Sequence, residues 1–231
     1  MHSLRQALRV ISVCCLLLLT AACSAIEQRF TPGRSPSLGY RYLELLLEDD
    51  FADGGDWRSY EADNLFLGLE GGAFKIDIVG RKYVWTQGEA QYADVVMEAD
   101  LRQTSDYDHN AFGLACRLDA ANRGRGYYFL ISGDGYASIR WSDGRSLQPI
   151  AEAKPSPHIK RGKARNRVRA VCIGDYLALW VNNEFVVEAR NGRATAGAVG
   201  MAGVMNYVGK RLTVTIDDLK LWRAALDDRA R

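Results

Sequence analysis

The chain has 231 residues, 48% of them hydrophobic and 25% charged, with 30 Lys and Arg set against 28 Asp and Glu. This near-balance speaks against a nucleic-acid partner, which requires clustered positive charge. One run does concentrate positive charge, "HIKRGKARNRVR" from His158 to Arg169; it reads as a solvated turn and strand edge, with an anion-binding patch as the alternative.

At the N-terminus, Met1 to Ala22 places Arg5 and Arg9 ahead of "VISVCCLLLLTAA". This is an apolar core of signal-peptide length, shorter than the roughly 20 residues that a membrane span needs. Its end, "LLTAAC", resembles the lipobox of bacterial lipoproteins, with Leu19, the small residues Ala21 and Ala22, and Cys23 as the lipidated residue. Thr20 stands where that motif usually has an aliphatic residue, and ordinary secretion with cleavage near Ser24 or Ala25 is the alternative. Lipidation predicts a chain held to a membrane by two or three acyl chains, because one alone gives marginal binding. Ser24 is not the Asp that retains lipoproteins at an inner membrane, so an outer membrane is expected where a cell has two. Removing residues 1–22 takes away two Arg and no acid, which leaves the remainder neutral.

Residues 23–41 hold Pro32 and Pro36 among Gly and Ser without any period, and read as a flexible tether. Residues 42–223 suit one domain, followed by a short tail, 224–231, whose "AALDDRAR" is the one stretch able to form a frayed helix. No internal repeat is apparent.

Within the domain the pattern is short alternating runs rich in Val, Ile, Tyr, Phe and Trp. Predicted strands are "LELLLEDDF", "NLFLGLE", "AFKIDIV", "YVWTQ", "ADVVMEADLR", "NAFGLACRL" and "GYYFLIS", then "YASIRWS", "RVRAVCI", "YLALWV", "EFVVEAR", "AVGMAGV" and "RLTVTIDDLKLW". Between them sit "EGG", "SGDG", "SDG", "IGD", "VNN" and "RNG", where Gly or Asn adopts positive φ at low cost. The spacing predicts an all-β fold, an antiparallel sandwich or barrel of two packed sheets. In "GDYLALWVNNEFVVEA" both faces are apolar and Asn182-Asn183 makes the turn, so this hairpin is scaffold, with Trp180 on the face away from Leu177 and Leu179.

The succession "DDFADGGDW", "DVVMEADLR", "HNAFGLACRL", "GYYFLISGDGYASI", "NRVRAVCIGDYLALWVNNEFV" and "TVTIDDLKLW" resembles the concanavalin A-like lectin and glucanase jelly-roll domains. It is most similar to bacterial domains described as family-16-glycoside-hydrolase-like or of 3-keto-disaccharide hydrolase type. The resemblance spans about Glu48 to Trp222 and implies a jelly-roll sandwich; it does not fix an activity, because the same sandwich serves lectins, adhesion modules and enzymes. It also implies that the first and last strands lie side by side. Asp49 or Asp50 with Asp217 or Asp218 then form a candidate structural calcium site of hard oxygen donors, with strand-end acids as the alternative; no cofactor is required. Cys116 and Cys172 share parity with apolar neighbours, and the resemblance favours a disulfide joining them across paired strands, against two buried thiols.

A family-16 enzyme needs a Glu-x-Asp-x-x-Glu strand, so that one carboxylate attacks while another donates a proton. In "MEADLRQT" Glu98 and Asp100 fill the first two places, but Gln103 holds the third and cannot titrate. His109 lies in a loop beside Asp106 and Asp108 and reads as a solvated contact, with no Ser-His-Asp order. If Phe112, Leu114, Tyr127, Phe129, Ala137 and Ile139 face inward, then Arg117, Tyr128, Tyr136 and Arg140 face outward. Such a set suits a sugar, whose C–H face stacks on aromatic rings while its hydroxyls take planar polar partners. The function expected is a membrane-anchored, extracytoplasmic, non-catalytic module that binds carbohydrate or cell-envelope glycan. The alternatives are a glycoside hydrolase or lyase acting on a modified sugar, and a protein-interaction module.

Overall fold

The computed structural model describes residues 35–52 and 57–227. The expected signal segment 1–22, the lipid site Cys23, most of the tether 23–41 and the last four residues lie outside the described residues. Among the described residues there are strands and no helix, arranged as two antiparallel sheets in a jelly-roll sandwich. The larger sheet runs β13 (Glu184–Arg190), β12 (Tyr176–Val181), β11 (Arg165–Ile173), β6 (Val95–Gln103), β15 (Arg211–Leu226), β4 (Ala73–Val79), β3 (Leu65–Glu70) and β2 (Tyr60–Ala62). Strand β1 (Tyr40–Asp49) lies along the second half of β15. The smaller sheet runs β10 (Leu147–Pro155), β9 (Tyr136–Ser142), β8 (Arg125–Ile131), β7 (Ala111–Asp119), β14 (Gly197–Met205) and β5 (Lys82–Tyr92).

The period-two pattern produces these strands directly. On β4 the buried residues Phe74, Ile76 and Ile78 alternate with half-buried Lys75 and Asp77, so one face meets the core and the other meets water. The hairpin of β12 and β13 turns on Asn182 and Asn183, both at positive φ (54° and 68°), the geometry that matches strand twist and that Asn tolerates. Two strands escape the sequence pattern. Strand β10 carries Pro149 and Pro155 and survives because it is an edge, where a missing N–H can face solvent; β2 is three residues long, too short to show a period. The sheet also begins at Tyr40, inside the stretch read as tether, and β15 continues to Leu226, so Ala224 to Leu226 are strand rather than helix.

The core fills the space between the sheets. Phe112, Leu114, Tyr127, Phe129 and Ile139 of the smaller sheet meet Met97, Leu101, Val168, Leu179 and Leu221 of the larger one, all essentially inaccessible. Cys116 on β7 and Cys172 on β11 are joined by a disulfide. The bond therefore ties one sheet to the other, where a bridge between paired strands was expected: each cysteine sits on the inward face of its own sheet, and inward faces meet across the core rather than along a ladder. It closes a loop with a sequence separation of 56.

The outer face of the larger sheet is covered in part. Trp180 is buried beneath Tyr40 and Phe185, with ring centroids 5.4 Å away in both cases, so it belongs to a second apolar cluster and is not presented to a ligand. Beside it lies a charge ladder across β11, β6 and β15. Arg169 and Arg167 pair with Glu98, Arg165 and Arg167 with Asp100, and Arg165 reaches Asp218 at 2.8 Å. The basic run is thus neutralised within its own sheet, which removes the anion-patch alternative for these three arginines. Burial alone would raise the Glu98 carboxyl, but hydrogen bonds and charge from Arg169, the Tyr42 hydroxyl at 2.9 Å, and Arg167 outweigh it and hold the carboxyl below its ordinary value.

Two outcomes are expected. Reducing the disulfide, or replacing both cysteines by Ser, should lower stability by about 4 kcal/mol from chain entropy, a fall in Tm of roughly 10 °C by calorimetry. Because the Glu98 carboxyl is depressed on folding, its stabilisation is present at neutral pH and is lost as pH falls below about 4.5. Glu98→Gln should therefore be less stable than the parent by about 2 kcal/mol at pH 7. That gap should close in urea titrations carried down to pH 3; a gap that stays constant would refute the assignment.

Candidate functional site

The outward face of the smaller sheet holds a groove of about 570 Å³. Its floor comes from alternate residues of neighbouring strands: Ala111 on β7, Leu130 on β8, Ser138 on β9 and Val204 on β14. Small and aliphatic side chains keep the floor low. Arg140 on β9 and Arg145 in the β9–β10 turn bound one side, while His109, Tyr136 and Tyr207 stand at the rim. Tyr136 and Tyr207 are 41% and 49% exposed, so both rings are available for stacking.

Two loops hold the rim. Gln103, at the end of β6, donates from its buried amide to Asp108 (2.8 Å) and to the Ser105 and Tyr107 carbonyls, and accepts from Asn110 (2.9 Å). Asn110 donates to the Tyr107 carbonyl as well and accepts from the Gly133 N–H. This buried amide pair bolts the 104–110 loop to the β8–β9 turn. There His109 Nδ1 lies 2.9 Å from Asp134, which also accepts from the Ser132 hydroxyl. Serine, aspartate and histidine are therefore in contact, but the acid lies in the middle. A hydrolytic relay needs the imidazole between acid and nucleophile. Tyr107 adds an edge-on contact to Tyr207 at 5.3 Å and lies under Lys210.

Of the four outward residues expected from parity, the structure brings Tyr136 and Arg140 into the groove and leaves Arg117 and Tyr128 out of it. Tyr128 does point away from the core, yet it is fully buried: Tyr83 packs edge-on against it and its hydroxyl donates to the Gly124 carbonyl. Gly124 is at φ +70°, and any Cβ there would fall 2.4 Å from the Trp85 ring, so the β7–β8 loop closes tightly over this end of the sheet. Arg117 fails for a different reason. It occupies a bulge at φ 54°, where the ladders to β8 and β14 both shift register, so its side chain leaves the alternation. Its guanidinium is buried at the sandwich edge and donates to the carbonyls of Ala93 (3.1 Å), Gly174 (2.7 Å) and Ala194 (2.7 Å), and to Asp94 (3.1 Å).

The four acids of the calcium expectation have partners within the fold. Strands β1 and β15 do lie side by side. Asp49, however, accepts from the Phe51 N–H and the Trp57 indole with its two oxygens. Asp50 caps Ala52, Asp217 caps the Asp218 N–H, and Asp218 pairs with Arg165. Among the described residues no group of three or more His, Cys, Asp or Glu converges on a possible ion.

No family model matches this sequence, and comparison with curated proteins finds no match. Solved structures do match. A Bacillus subtilis protein of unknown function with a galectin-like fold aligns at TM-score 0.61 and 13% identity over 80% of this chain and 99% of its own. The carbohydrate-binding module CBM66 from Bacillus subtilis aligns at 0.58 and 16% identity over 74% and 97%. A native glycosidic hydrolase aligns at 0.56 and 10% identity over 82% and 98%. At these identities the likeness establishes a shared fold, a two-sheet jelly-roll sandwich; a carbohydrate-binding module and a glycosidic hydrolase both appear among the neighbours.

Arg117→Ala should cost about 3–5 kcal/mol, because the carbonyls it satisfies would be left buried and unpaired. Arg117→Lys should recover little of that, since one ammonium cannot span a forked set of acceptors. Denaturant titration checks both, and near-parental stability of the Lys variant would contradict the bonding described.

Proposed function

We propose that this protein is a membrane-anchored, extracytoplasmic module that binds carbohydrate, a glycan of the cell envelope, and does not cleave it. The observation that carries this reading is the open groove on the smaller sheet, where exposed Tyr136 and Tyr207 stand beside Arg140 on a low floor. Flat rings offer faces for sugar C–H groups, and guanidinium, serine and backbone groups offer directional partners for hydroxyls. The likeness in fold to a carbohydrate-binding module supports it. The lipobox-like "LLTAAC" ending in Cys23 supports the anchor and an extracytoplasmic location.

Hydrolysis is the competing reading, favoured by the fold neighbour that is a glycosidic hydrolase. Glycoside cleavage ordinarily uses two carboxylates flanking the bond, about 5–10 Å apart. Among the described residues, Asp134 is the single carboxylate lining the groove, and its partners are His109 and Ser132. Glu98 and Asp100, the acids nearest to a family-16 motif, sit on the other sheet and are engaged by arginines. These observations weigh toward binding without turnover.

A glycan array probed with the full chain should show selective binding. Tyr136→Ala and Arg140→Ala should each weaken it by about tenfold or more, roughly 1.4 kcal/mol, with Tm unchanged. Release of shortened products from any bound oligosaccharide would overturn the non-catalytic part of the reading. Cys23→Ser should move the protein from the membrane to the soluble fraction; unchanged fractionation would remove the anchor.

A further inference from the structure

The arginines on the outer face of the larger sheet and those in the groove differ in their counter-charges. On the larger sheet Arg165, Arg167 and Arg169 each meet a carboxylate, and buried Arg117 meets Asp94. In the groove, Arg140 and Arg145 form no ion pair with any described residue. Arg140 is half-buried, yet it donates only to the Ser138 hydroxyl at 3.3 Å and the Leu147 carbonyl at 3.5 Å, long bonds that leave most of its five N–H groups unused. Of the acids nearby, Asp134 is engaged by His109 and Ser132, and Asp143 accepts from the Arg145 and Ser146 N–H groups and from the Gln148 amide. A guanidinium that lines an open groove without an ion-pair partner is free to meet an anionic ligand, and its forked shape matches a planar carboxylate in two parallel bonds.

We infer that the groove selects an acidic oligosaccharide, one with carboxylate-bearing sugars placed on Arg140 and Arg145; this rests on the carbohydrate reading above. Tyr136 and Arg140 share a face of β9 four residues apart, a strand distance of about 13 Å. A single pyranose ring is too small to use both, so stacking on Tyr136 and charge pairing at Arg140 fall on different sugars of an oligomer. The pair of cations also draws a polyanionic chain toward the groove, an attraction that salt weakens.

The test titrates the full chain with uronate oligomers (galacturonate, guluronate, mannuronate and glucuronate series), each beside its methyl-esterified form, and with neutral oligosaccharides. At least one free acid should bind about tenfold or more tighter than its ester. Arg140→Gln combined with Arg145→Gln should weaken binding of the free acid more than that of its ester and so abolish the preference, and raised salt should narrow the difference. Equal binding of acids and esters, binding confined to neutral sugars, or a preference that survives the double substitution overturns the inference and leaves the carbohydrate reading standing. Absence of binding to any sugar overturns both.

Discussion

In β7, β8 and β9 every second side chain is pressed between the sheets: Phe112, Leu114 and Cys116, then Tyr127, Phe129 and Ile131, then Ala137, Ile139 and Trp141. Burying that many apolar groups fixes the register of each strand, because a one-residue slip would exchange every inward residue for an outward one. The direction of Leu130, Tyr136, Ser138 and Arg140 follows from this without any contribution of their own. The groove is the other half of the pattern that makes the core. The disulfide between Cys116 and Cys172 pins the same two layers together where β7 approaches β11.

That dependence explains which features are legible in the sequence. The alternation in "GYYFLIS" and "YASIRWS" and the Asn182-Asn183 turn are local signals, and the strands, the hairpin and the outward placement of Tyr136 and Arg140 follow from them. Arg117 escaped because a bulge breaks the alternation, and nothing in "ACRLD" announces a residue at positive φ. Tyr128 points as its parity requires, but what covers it comes from Tyr83, Trp85 and the Gly124 loop, all distant in sequence or aperiodic. Gln103 shows the converse. Read against a catalytic motif it is a missing acid; in the fold it is the amide that braces the rim loop through Asn110 and Asp108. Tyr207 lies in an irregular connection, where side-chain direction has no period to reveal it.

The two outward faces use charge differently. On the larger sheet, acids of β6 face arginines of β11 in register, Glu98 opposite Arg169 and Asp100 opposite Arg167, so the ladder that pairs the backbones also pairs the charges. It is a closed surface. On the smaller sheet the strand beside β9 is the proline-bearing edge β10, which places no carboxylate against Arg140. The same residue type therefore stabilises one face and remains chemically available on the other, and the difference lies in what the neighbouring strand supplies.

Tyr40 stands opposite Leu226 in the β1–β15 ladder, and the Asp227 N–H donates to the Gly39 carbonyl. Both ends of the described fold thus emerge together from the larger sheet, the layer opposite the groove. A second domain spliced on at that seam, or the ends rejoined and the chain reopened elsewhere, leaves the groove uncrowded.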